Sequence, residues 1–199
     1  MRKDGAPLKA TLGSITVKGL SFDGTKAPLL LAALILLLAG LASATTTPEA
    51  LSPTDRDKLL RVAVELKEAI LHEDVEGILR HVSKSNGLIC TDTRIPYQQI
   101  RKDLHNKNSH LYMSLFDSAS FSKKCGSEYP AEYPAISDKE FFTTATSESI
   151  EIEPMGGGSA QVAFKSKTKG RYPREFLFHK EGREWKLTDG FVLSRCSCG

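Results

Sequence analysis

SAQVAFKSKTKGRYPREFLFHKEGREWKLTDGFVL, residues 159–193, decides the fold. Val162 and Phe164 stand at alternate positions, as do Phe176 and Phe178, and then Trp185 and Leu187. A period of two marks a strand with one face on a core and one in water, so the stretch reads as three strands. Lys180-Glu181-Gly182-Arg183 supplies a short glycine-containing hairpin turn between the second and the third. Just upstream, Ile150 and Ile152 alternate with Glu151 and Glu153, and Met155-Gly156-Gly157-Gly158 turns that strand into the next. The result is an antiparallel meander of about four strands. Its dry face has to be covered, and the segments before it supply the cover.

Those segments are helical. Ser52 is an N-cap, Pro53 takes the first helical position, and Asp55 suits the positive end of the helix. Leu59, Val62, Ala63, Leu66, Ala69 and Ile70 then form one stripe at helical spacing, which predicts an amphipathic helix of about five turns. Asp74 caps a shorter helix carrying Val75, Ile78, Leu79 and Val82 on one face. Asn86-Gly87 breaks the chain, because both residues tolerate positive φ. Leu88-Ile89-Cys90 reads as a short strand, and Pro96 opens a third helix through YQQIRKDLHNK. SHLYMSLFD fits either period and is read as helix. Cys125 to Pro134 reads as loop, with Tyr129 and Tyr133 exposed, and Ser137-Asp138-Lys139-Glu140 is a capping box starting one helical turn. The fold class is therefore α+β, with N-terminal helices packed on a curved antiparallel sheet.

The first 44 residues stand apart. No charge occurs from Ala27 to Ala44, lysines precede that run, and Ala42-Ser43-Ala44 ends it with small residues spaced for a signal peptidase. That is the plan of a secretory leader. A membrane anchor would want roughly 20 apolar residues, and the run is short for one. Residues 1–44 are thus expected to be a signal peptide, 45–51 a linker and 52–199 a single α+β domain. The product is expected to be periplasmic or extracellular, or anchored in the inner membrane if the leader stays. The leader holds five basic and two acidic residues, so the rest carries 27 − 5 = 22 basic against 24 − 2 = 22 acidic. A balance of zero gives no support for nucleic-acid binding.

Cys90, Cys125, Cys196 and Cys198 make an even set, which in an exported chain suggests disulfides. Two arrangements stay open. Cys90 pairs with Cys125, or one tail cysteine pairs with either of them and pins the last strand. Metal chemistry finds no pattern: the C-x-C ending has no second ligand pair, H-E-x-x-H is absent, and His105 and His110 lie about 140° apart on a helix. The glycine run at 156–158 lacks the G-K-[ST] of a phosphate loop. No metal or cofactor is expected.

The order of elements (long helix, short helix, small strand, third helix, terminal meander) together with the ending FLFHKEGREWKL resembles the nuclear transport factor 2-like superfamily. That fold, shared by ketosteroid isomerase and polyketide cyclases, implies a sheet wrapped around a pocket beneath the helices. Its isomerase set, an Asp base with a Tyr and a second carboxylic acid, does not map onto this chain. Pocket-compatible polar residues are Asp92, Arg94, Tyr97, Asp103 and Tyr112, and the aromatic lining would be Phe164, Phe176, Phe178 and Trp185. The same aromatics equally suit a plain core. Aromatic lining without a catalytic signature points to a binding module for a small apolar ligand or a protein partner. The alternatives are an isomerase- or cyclase-like enzyme using Asp103 or Asp92 with a tyrosine, and a structural piece of an envelope assembly.

Overall fold

A computed structural model describes residues 50–90, 93–129, 134–145, 149–168 and 171–190, with Cys90 described by its backbone alone. The leader, Asp92, Tyr133, Cys196 and Cys198 lie outside the described residues. The four-stranded sheet is built as the period of two predicts: β3 (Ser149–Gly156), β4 (Ser159–Lys165), β5 (Arg174–Glu181) and β6 (Glu184–Asp189), antiparallel in that order. Ile152 faces Val162, Val162 faces Phe176, and Phe178 faces Leu187 across neighbouring strands, so the apolar residues form continuous rows on one face. Gly182 turns β5 into β6 at φ 63°, a left-handed conformation that suits glycine.

Helix α1 runs Pro53–Leu71, with the Ser52 hydroxyl accepting from Asp55 N. It buries Leu59, Ala63, Leu66, Ala69 and Ile70, while Val62 is only half covered. Helix α2 (Val75–His81) is capped by Asp74, whose carboxylate accepts from Gly77 N at 2.8 Å. A two-stranded ribbon follows, β1 (Leu88–Cys90) with β2 (Thr93–Ile95). Then come α3 (Tyr97–Leu104), α4 (His110–Phe116), α5 (Ser118–Cys125) and α6 (Asp138–Thr144). The buried faces of α1, α2, α3, α4 and α6 meet the apolar rows of the sheet in one core. A satellite cluster joins Met113, Phe121, Cys125 and Ala135, with Tyr129 packed against it.

Three local expectations are corrected. The third helix ends at Leu104, where His105 caps it and Asn106 accepts from Asn108 N, so HNK is turn. The segment after Cys125 begins as a 3₁₀ turn, Gly126–Glu128, and Tyr129 is half buried with its ring 5.9 Å from Phe121. The capping box at Ser137 starts a seven-residue helix, because Phe141 and Phe142 bury their rings in the core. Among the described residues no helix is long and apolar enough to cross a membrane.

Candidate functional site

The space beneath the sheet is occupied by rings. Phe142 meets Phe164 edge-on at 5.1 Å, Phe164 meets Phe176 at 5.8 Å, and Phe141 meets Phe142 at 5.3 Å. Such edge-to-face pairs add to the stabilisation that burial alone gives. Phe164, Phe176, Phe178 and Trp185, the expected aromatic lining, are all buried in this core.

The polar candidates lie on separate elements. Arg94 is exposed on β2, paired across the ribbon with Ile89. Tyr97, at the start of α3, borders a shallow groove with Glu76, Lys84 and Arg101, and the Lys84 Nζ sits 6.0 Å from its ring centre. Asp103 accepts from Gln99 Nε2 at 2.7 Å. The Tyr112 hydroxyl donates to Glu73 Oε2 at 3.4 Å, and its ring packs against Phe116. Among the described residues no hydrogen bond, ion pair or ring contact joins any two of Arg94, Tyr97, Asp103 and Tyr112.

Acid–base chemistry would need a carboxyl with a raised pKa beside a phenol. Glu73 is beside one, but Lys139 donates to it at 2.6 Å and holds its pKa below the usual range. Asp138 is the opposite case. It is fully buried, and burial raises its carboxyl to about 6 although the Arg174 charge pulls the other way. Arg174 Nε lies 2.6 Å from Asp138 Oδ1, in a contact too poorly aligned to count as a hydrogen bond. The same guanidinium donates to the Ile136 carbonyl at 3.0 Å and lies 4.9 Å over the Phe141 ring. The capping box revealed this aspartate as a helix start; nothing local revealed its arginine.

A concave site does form on the outside, where α1, α2 and the β5–β6 hairpin meet. Lys58, Arg61, Val62 and Glu65 come from α1, Arg80 and His81 from the end of α2, and Arg183, Glu184, Trp185 and Lys186 from the hairpin. They enclose about 340 Å³. Two tethers place the hairpin. Lys180 Nζ donates to Asp55 in the first turn of α1 at 2.8 Å. Glu181 Oε1 accepts from Ser83 at 2.5 Å, Ser85 at 3.0 Å and Asn86 at 2.9 Å, in the loop after α2. Burial works to raise the Glu181 pKa, but those three donors together lower it.

Inside the cleft some charges are already matched. Lys186 Nζ lies 2.7 Å from Glu184 and donates to the Arg80 carbonyl at 3.1 Å. Arg80 reaches Asp74 at 3.5 Å, and His81 Nε2 stands 3.7 Å from Glu65. The His81 ring is largely covered, and burial lowers its pKa despite Glu65. Arg61 and Arg183 have no ion-pair partner among the described residues. Among those residues, no group of three or more His, Cys, Asp or Glu side chains is placed to hold a metal ion.

No protein-family model and no curated protein matches the chain. Among solved structures it is similar to an NTF-2-like protein of unknown function from Shewanella oneidensis MR-1, at 17% identity, covering 69% of this chain and 96% of that one, with a TM-score of 0.35. A superposition that loose carries no argument about fold or function, and the α+β architecture stands on the elements themselves.

Proposed function

We propose that the protein is an exported binding module that holds its ligand without transforming it. The carrying observation is the state of its carboxylates. Glu73, which accepts from the Tyr112 hydroxyl, is neutralised by Lys139; of the two described carboxyls that burial raises, Asp138 is fully buried against Arg174 and Asp189 accepts from Gly190 N. Among the described residues neither raised carboxyl has a tyrosine hydroxyl beside it, so the acid–base pair that an isomerase needs is not assembled there. Of the aromatic residues that would have lined an internal pocket, Phe164 and Phe176 pack against each other and all four are buried in the core, which favours a binding surface on the outside of the fold. A Δ5-3-ketosteroid incubated with the protein tests the competing isomerase reading through the absorbance of the conjugated enone. No rate above buffer is expected. Turnover that disappears in Asp103→Asn would replace the binding module with an enzyme.

A further inference from the structure

The cleft between α1, α2 and the β5–β6 hairpin gathers charge in a protein whose 155 residues after the leader balance to zero (199 − 44). Its lining carries Lys58, Arg61, Arg80, Arg183 and Lys186 against Glu65 and Glu184, a formal 5 − 2 = +3. Glu184 is paired with Lys186, while Glu65 stands 3.7 Å from His81, whose lowered pKa keeps that ring neutral at neutral pH. What remains is Lys58 and two guanidinium groups, Arg61 and Arg183 on different elements, with no ion-pair partner among the described residues. A guanidinium offers paired N–H donors that match a carboxylate or a phosphate, and it is less tightly hydrated than an ammonium. Clefts lined by one sign of charge concentrate ligands of the other.

The rest of the lining is not charged. Val62 is half covered on α1 and Trp185 is 3% exposed, so apolar surface adjoins the arginines. The Trp185 indole Nε1 is buried without an acceptor among the described residues, an unmet donor in the wall of the cleft. The volume of about 340 Å³ is near the small end of ligand sites. It suits one ring with an acidic group, and it is too small for a groove that tracks a polymer.

We infer that this cleft binds a small organic anion, a phosphate monoester or carboxylate on a flat apolar body, with Arg61 and Arg183 holding the acidic group. The inference rests on the reading of the chain as a binding module and adds the place and the class of ligand.

The test uses the full chain, ¹⁵N-labelled, with phenyl phosphate as the probe. Trp185 is the sole tryptophan, so its indole N–H gives a single NMR resonance inside the cleft wall. Phenyl phosphate is expected to shift that resonance saturably. Arg61→Gln and Arg183→Gln should each weaken binding roughly tenfold, the scale of a lost charge-assisted hydrogen bond. Lys102→Gln, on the outer side of α3, should leave it unchanged. Phenol, the same ring without the charge, should bind at least roughly tenfold more weakly than phenyl phosphate, because it forfeits the same bonds. Benzoate in a parallel titration tells carboxylate from phosphate. Both arginines are exposed, so melting temperatures should match the wild type and a lost signal cannot be blamed on unfolding. No saturable shift with either anion, or equal affinity in the arginine variants, overturns the inference. The two readings fail separately. Ketosteroid turnover would end the binding-module reading with the cleft's affinity intact, whereas a silent indole resonance without turnover removes the cleft alone.

Discussion

Asp138 and Arg174 are each other's counter-charge in a place where water cannot serve. Removing one partner of a buried pair leaves the other uncompensated, typically at about 3–5 kcal/mol, while replacing both by apolar groups of similar size is far milder. Asp138→Leu should therefore lower the urea midpoint strongly, and adding Arg174→Met should recover most of the loss. A double variant no better than the single would show that the pair is not the source of the cost. Titration adds a sign. The carboxyl ionises at about 6 when folded, against 3.8 when free, so the folded chain holds the proton more tightly across that window. Its contribution to stability is full below about pH 4 and is lost as the pH rises through about 6. Asp138→Asn should flatten that fall; the wild-type-minus-variant difference in denaturation midpoints from pH 4 to 7 measures it.

At the scale of elements, the hairpin depends on Glu181. Replacing it with Gln keeps the shape and removes the charge that accepts from Ser83, Ser85 and Asn86. The expected cost is about 1–3 kcal/mol at neutral pH. Because the folded pKa is lowered, the wild type's advantage should persist above the free carboxyl's range and vanish as the pH falls below it. An advantage that survives acidification would assign Glu181 a packing role instead. The same scale explains what the sequence made legible. Each sheet strand has one covered face, so Val162/Phe164 and Trp185/Leu187 announce themselves by alternation. Helix α5 does not, since SASFSKKC buries only Phe121 and Cys125 and its serines favour caps and turns. β2 is three residues, two of them exposed. The cleft was hidden for another reason. Lys58 and Arg61 look like the solvated face of α1, and Arg183 looks like a turn residue. Only tertiary folding brings them to one place.

At the scale of the whole chain, Cys125 is buried, and the disulfide expected of it, with the oxidising compartment that a disulfide would imply, is tested together with the leader. N-terminal sequencing of protein from its native host is expected to begin near Thr45, and non-reducing peptide maps to join Cys125 to Cys90. Intact residues 1–44 in a membrane fraction would mean an anchor. A Cys125 peptide linked to Cys196 or Cys198 would replace the pairing.

The tethered hairpin has one more consequence. With Lys180 tied to α1 and Glu181 tied to the loop after α2, the hairpin wall of the cleft is fastened to both of the others, and a ligand bound as inferred above would meet walls already in place. Residence would then be governed by the strength of the grip, with little of the grip spent on ordering the walls. Such a cleft would take up and release in step with the surrounding concentration, trading long storage for quick exchange.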